Sequence, residues 1–336
     1  MKANFIRSFM FFSIALCCHA FVLNAQKTAT KRVSPPALAT VPFQYAQSLI
    51  FVKAKINGSR TMYLFLINTG ANTTVIDTRT ADMLKLPVIR EEDTVEGTAG
   101  TENVRLHTIK SIDIDKASVK NMEITSRDLS NFVTLNGQKI DGILGTDFLK
   151  NFSVTIDFYQ KTMAFTNMRA PVGRQKTMPF KIVDGIPRFS VRLNDTFDTY
   201  LTYNSAVSME PSRNNYINVS YSQWQELKRL TPYMNHSNFV AGKGVGGSVY
   251  MQVVKISGLR VCELDLNSPY MVVQTKEGYF KRDDAVGFFG NNILEKQRKV
   301  TIDFLGERIV LQSMFNPASR SKKPVKRRPI PYFTSY

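Results

Sequence analysis

Hydrophobic and polar positions alternate along much of this chain with a period of two. Lys53-Ala54-Lys55-Ile56, Val104-Arg105-Leu106-His107, Ser190-Val191-Arg192-Leu193 and Val249-Tyr250-Met251-Gln252-Val253 each change character at every step. Successive side chains of a strand point to opposite faces, so these runs predict half-buried β-strands. Runs rich in β-branched and aromatic residues, such as Met62 to Ile67 and Thr199 to Tyr203, also predict strands. Helical signals are few and short. One covers Thr78 to Leu84 behind a capping Asp77, and another covers Ser222 to Leu230 around Trp224. The pattern predicts a mainly β protein.

Three features then recur in the same order in each half. The first is a strand running into a short polar turn: Met62 to Ile67 then Asn68-Thr69-Gly70-Ala71, and Thr199 to Tyr203 then Asn204-Ser205-Ala206. The second is a glycine-containing hairpin tip followed by an alternating strand. Its tips are Val95 to Gly100, with Gly97, Thr98 and Gly100, and Ala241 to Gly247, with Gly244, Gly246 and Gly247. The third is an apolar pair plus glycine, a short helical turn and a closing strand. It reads Ile143-Leu144-Gly145 through Val154 to Phe158, and Phe288-Phe289-Gly290 through Val300 to Phe304. Asn68 and Asn204 are 136 residues apart, and Gly145 and Gly290 are 145 apart. Offsets this close fit a duplication with one loop insertion. Residues 41–168 form the first predicted lobe and 178–314 the second, joined by a linker at 169–177.

Outside the lobes the pattern changes. Lys2 and Arg7 precede a nearly unbroken apolar run from Phe9 to Leu23, the layout of an export signal over residues 1–25. It is short for a membrane span, and cleavage or retention as an anchor both stay open. Residues 26–40 read as a linker. Of the net +17, two charges sit at Lys2 and Arg7 and six between Arg320 and Arg328, which leaves +9 for residues 27–319. The stretch 315–336 carries four prolines and no acid, and reads as an extended basic strip able to meet an anionic surface or simply to solubilise the chain. No nucleic-acid-reading motif accompanies the charge, so no nucleic-acid role is expected. Three cysteines exclude a disulfide scaffold, and no His/Cys cluster offers a metal site, so neither metal nor other cofactor is expected. Cys262 is expected to be a small buried hydrophobe.

The repeated order resembles that of the retropepsin-like aspartic proteases, in their exported bacterial two-lobed form, over about residues 41–314. The resemblance implies a bilobal fold of two β-barrel lobes in one chain, with a substrate cleft between them and one catalytic loop from each. It also implies a monomer with internal pseudo-twofold symmetry. In the family each loop carries an aspartate, and the pair shares one proton while activating water on a peptide carbonyl. Motif alignment puts Asn68 and Asn204 at those positions. An amide accepts a hydrogen bond but does not bind a proton near pH 7. The supporting loop is partly kept in Thr69, Gly70, Ala71 and Ser205, with Ala206 where a glycine is usual. The leading expectation is therefore an exported, periplasmic, envelope or secreted pseudoprotease that holds an extended peptide or protein segment. Two alternatives stay open: an active aspartic endopeptidase, and a structural envelope protein docked by the basic strip.

Other acids and motifs are expected to be structural. Asp77 caps a helix, Asp141 bonds backbone, and the Asp195 and Asp198 tripeptides precede a strand instead of following one. Gly242-Lys243-Gly244-Val245-Gly246-Gly247 matches a dinucleotide fingerprint, but a strand is predicted after it where that site needs a helix. His107 and His236 have no partner motif and are expected at or near the surface.

Overall fold

The computed structural model describes residues 36–312, except 131, 133–136, 174, 209–214, 232–235 and 245. The predicted export signal and basic strip lie outside the described residues. The first half contributes β1 (Ala39–Pro42), β2 (Gln44–Ala46), β3 (Leu49–Ile56), β4 (Tyr63–Ile67), β5 (Val75–Asp77), α1 (Thr78–Met83), β6 (Val88–Glu96), β7 (Thr101–Ile114) and β8 (Ala117–Arg127). It closes with β9 (Gly142–Leu144), α2 (Thr146–Leu149), β10 (Ser153–Asp157) and β11 (Thr162–Thr166). The second half contributes β12 (Lys176–Pro179), β13 (Lys181–Val183), β14 (Ile186–Leu193), β15 (Phe197–Tyr203), β16 (Tyr216–Val219), α3 (Tyr221–Leu230), β17 (His236–Gly244) and β18 (Gly247–Lys255). There follow β19 (Gly258–Val261), β20 (Leu264–Asn267), β21 (Tyr270–Val273), a 3-10 turn at Gly278–Lys281, β22 (Gly287–Phe289), α4 (Asn291–Leu294), β23 (Lys299–Asp303) and β24 (Arg308–Gln312).

The two halves repeat one topology. In lobe one the strand order is β2-β3-β4-β9-β5-β8-β7-β6, and β7 also pairs back onto β3. In lobe two it is β17-β18-β21-β16-β22-β15-β14-β19-β20, with β13 on β14. The parallel pair β4 and β9 matches the parallel pair β15 and β22. Likewise β5 and β8 match β16 and β21. Pairing of β14 with β19 stands where β3 pairs with β7. The long β7 and β8 of lobe one are each broken in lobe two, at Ile256-Ser257 and at Ser268-Pro269. Pro269 has no N–H for a ladder, and its carbonyl instead accepts from Ile256 N–H at 3.1 Å. β9 and β22 begin with glycine because each threads between neighbours. A Cβ at Gly142 would lie 2.4 Å from the Phe65 ring, and one at Gly287 would lie 1.9 Å from the Asn218 carbonyl oxygen.

A third sheet, β1-β11-β10-β23-β24-β12, draws three strands from each half. Its central pair is β10 against β23, with Thr155 opposite Thr301 and their hydroxyls 2.9 Å apart. The internal twofold axis therefore runs between two equivalent threonines. β1 opens at Ala39 and β12 at Lys176, so this shared sheet takes up residues at both edges of the predicted lobes. One large apolar cluster runs through the molecule, from Ile50 and Phe65 of lobe one through Phe165 and Ile302 to Phe289 and Trp224 of lobe two. This continuity leaves the two lobes as one compact unit among the described residues.

Local signals account for the helices. Asp77 caps α1 by accepting from Arg79 N–H at 3.1 Å. Ser220 and Gln223 form a reciprocal capping box at α3. Three expectations need correction. His107 is fully buried, and its Nε2 meets the Ser126 hydroxyl at 2.8 Å. His107 shares its face of β7 with the buried Ile109, while Leu106 on the other face is only half-buried. Burial pushes the His107 imidazole below its ordinary pKa. Asp198 lies within β15 and pairs with Arg192 at 2.6 Å, whereas Asp195 stands in the preceding turn. Cys262 is only half-buried, in the positive-φ turn between β19 and β20, and burial raises its thiol pKa.

Candidate functional site: the paired loops between the lobes

β4 and β15 end side by side, and the polar tripeptide after each turns toward the other lobe. Each loop is first fixed to its own lobe. Asn68 N–H donates to the Leu144 carbonyl at 2.9 Å, and Asn204 N–H donates to the Phe289 carbonyl at 2.9 Å. Four buried bonds then cross between the lobes. Thr69 N–H donates to Ser205 Oγ at 3.0 Å, and Ser205 N–H donates to Thr69 Oγ1 at 3.0 Å. Thr69 Oγ1 donates to the Tyr203 carbonyl at 2.7 Å, and Ser205 Oγ to the Ile67 carbonyl at 2.8 Å. Each hydroxyl accepts one bond and donates one, so a small, fully satisfied lattice locks the loops together.

The half-buried side chains of Asn68 and Asn204 sit on this lattice. Asn68 Oδ1 accepts from Gly70 N–H at 2.8 Å, and Asn204 Oδ1 accepts from Ala206 N–H at 3.0 Å. A backbone N–H requires an acceptor, which fixes the flip of both amides and turns each Nδ2 the other way. The side chains converge. A Cβ at Gly70 would lie 2.5 Å from Asn204 Cγ and 2.6 Å from its Nδ2, so Asn204 lies against the bare Cα of Gly70. Position 70 is glycine for that approach. Ala206 has room for its methyl, which packs on a lobe-one cluster of Phe51, Leu64, Leu66 and Ile143.

A second tier supports the loops. The Ala71 carbonyl accepts from Thr146 N–H at 2.8 Å, and Thr146 Oγ1 donates to the Gly185 carbonyl at 2.6 Å. Asn291 takes the matching place in lobe two and donates to the carbonyls of Ser48 and Ser205 at 2.6 and 3.0 Å. Each short helix thus holds a hairpin turn of the opposite lobe. Tyr203 is buried and donates its hydroxyl to Asn291 Oδ1, and burial raises its pKa. Asp147 accepts from Thr74 N–H at 2.8 Å and Thr74 Oγ1 at 2.6 Å. Burial raises its pKa, while the Thr74 bonds and the Phe148 N–H oppose the rise. Of each apolar pair, Leu144 and Phe289 enter the main core. Ile143 and Phe288 face smaller clusters; the Phe288 cluster includes Phe280, Ala285, Tyr279 and Val207. Gly145 and Gly290 cap the following helices without a side-chain bond.

The two hairpin tips meet. Gly97 N–H donates to the Gly100 carbonyl at 2.8 Å, with Thr98 and Ala99 at the tip between them. Gly246, between Gly244 and Gly247, touches Gly100: a Cβ at Gly246 would lie 2.4 Å from Gly100 Cα. Ala99 packs against Val249, Met251 and Val253 of the opposite hairpin. Sequence reasoning missed a further contact. Tyr279 N–H of lobe two donates to the Gly97 carbonyl at 2.8 Å, and a Cβ at the positive-φ Gly278 would meet that carbonyl at 2.0 Å. The Gly278-Tyr279 pair is thus a strap across the first tip. Its only sequence signal is an isolated glycine among polar residues.

The remaining acids are tied to structure. Asp77 accepts from Leu129 N–H at 3.0 Å and pairs with Arg79 at 2.8 Å. Asp141 accepts from Leu64 N–H at 2.7 Å.

Comparisons with known proteins find a family and a solved structure similar to this chain. A family model described as aspartyl protease matches residues 52–148, from β3 through α2. The crystal structure of the aspartic proteinase from Irpex lacteus is similar at a TM-score of 0.48 and 12% identity, over 82% of this chain and 97% of that one. No curated protein matches the sequence. The mainly β fold of two similar lobes follows from the strand pairing itself.

Proposed function

We propose that this chain is an exported aspartic-protease-like protein whose cleft holds an extended peptide or protein segment without cutting it. The observation that carries the reading is the lattice of Thr69 and Ser205, kept whole beneath two amides. Acid–base catalysis contributes about 10²–10⁴-fold in rate and needs a group that gains and loses a proton, which neither Asn68 nor Asn204 does. Holding an extended peptide by main-chain hydrogen bonds needs no such group. Export rests on the charge and apolar pattern of residues 1–25, and contact with an anionic surface on the basic strip at 315–336.

A protease assay on an unfolded protein substrate between about pH 3 and 6, run beside peptide-binding measurements, tests the reading. The natural protein should bind and not cleave, and the Asn68→Asp, Asn204→Asp form should cleave. Turnover by the natural protein that a transition-state analogue blocks overturns it in favour of a working endopeptidase. Failure to bind any extended peptide with the fold intact overturns it in the other direction.

A further inference from the structure

We propose that the floor of the cleft is a two-amide donor site that takes a peptide carbonyl oxygen. The inference rests on the peptide-holding reading and specifies its central contact. Each amide oxygen is turned toward its own loop: Asn68 Oδ1 accepts from Gly70 N–H and Asn204 Oδ1 from Ala206 N–H. Each Nδ2 is the arm left over, and among the described residues neither donates to a protein group. The two arms belong to one small site, since Asn204 lies on the Cα of the residue whose N–H holds Asn68.

The chemistry of this floor is opposite to that of a carboxylate pair. Two carboxylates sharing one proton carry a negative charge and offer mostly acceptors, which suits a water molecule or a cationic ligand. Two amides carry no charge, and with each oxygen turned onto its own loop they offer their N–H donors to a ligand. A carbonyl oxygen has two lone pairs and accepts from both amides at once. An extended peptide brings such a carbonyl at every residue.

The test uses two synthetic octapeptides with a central Leu-Leu pair. One has a normal amide between the leucines, and the other has that carbonyl reduced to a methylene, which leaves a protonated amine. The natural protein should bind the normal peptide roughly tenfold more tightly, the worth of about one to two neutral hydrogen bonds. The reduced peptide should bind more tightly to the Asn68→Asp, Asn204→Asp form than to the natural protein. In protein labelled with ¹⁵N-asparagine, the Nδ2 signals of Asn68 and Asn204 should shift with the normal peptide and stay in place with the reduced one. Equal affinity of the natural protein for both peptides, with unmoved Nδ2 signals, overturns the donor site and leaves peptide binding standing. No affinity for either peptide overturns the peptide-holding reading and this inference with it.

Discussion

The two loops at the lobe interface make the same hydrogen bonds with different residues. Asn68-Thr69-Gly70 and Asn204-Ser205-Ala206 each fix their first residue to an apolar strand, cross-bond their second, and turn an amide oxygen onto their third. Their sterics differ. Gly70 has no free volume because Asn204 lies on it, whereas Ala206 has filled its volume with a methyl against lobe one. Hydroxyls that bond reciprocally constrain both partners at once, so the lattice is kept in both lobes. The third position answers only to what packs on it, and there the halves have diverged. The binding role proposed above needs the lattice to hold the floor and needs no proton exchange from the two amides.

The sharpest way to break the comparison is to remove a hydroxyl. Thr69→Val keeps the shape but leaves Ser205 N–H and the Tyr203 carbonyl unpaired in a buried site. An unsatisfied buried group costs about 1–3 kcal/mol, so urea unfolding should show a loss of about 2–4 kcal/mol. Ser205→Ala should cost a similar amount, and the double variant should cost less than the sum because one lattice is lost only once. Full additivity would mean that the two hydroxyls act independently. The next effect is steric. Gly70→Ala forces its methyl into Asn204 and should cost about 1–3 kcal/mol, together with the peptide affinity that depends on Asn204. Its counterpart Ala206→Gly should cost only about 0.5–1 kcal/mol, through backbone freedom and the lost methyl contact. Equal costs would remove the steric asymmetry.

The same contrast between reciprocal and one-sided constraint governs what the sequence reveals. Alternation and the repeated motifs expose the lobes, because each strand shows its own buried face. The Asn68 and Asn204 loops are legible because their order recurs. Pairing of β10 with β23 is not legible, since Val154 to Phe158 and Val300 to Phe304 read alike whether they pair with their own lobe or with each other. His107 misleads because its polar type suggests an outward position, whereas its place two residues before Ile109 puts it on a buried face of β7. The strap at Gly278 and Tyr279 is held by a backbone N–H and a missing Cβ, neither of which has a side-chain signature.

The smallest effect sharpens the comparison one layer further out. Lobe one places Asp147 at the second position of its short helix, where lobe two places the neutral Asn292. Burial holds the Asp147 carboxyl above its ordinary value of 3.8. A carboxyl whose folded pKa exceeds its unfolded value binds its proton more tightly in the folded protein. Its charged form therefore subtracts stability at neutral pH, and this penalty fades as pH falls through the raised folded pKa toward 3.8. Asp147→Asn, which copies lobe two, lacks that titration. It should lose the Thr74 bond its single oxygen cannot keep, and unfolding from pH ~7 downward should show the natural protein gaining on the variant across that window. A difference that stays flat with pH would mean that the Thr74 and Phe148 bonds fully offset burial, and that the two helices differ in sequence but not in electrostatics.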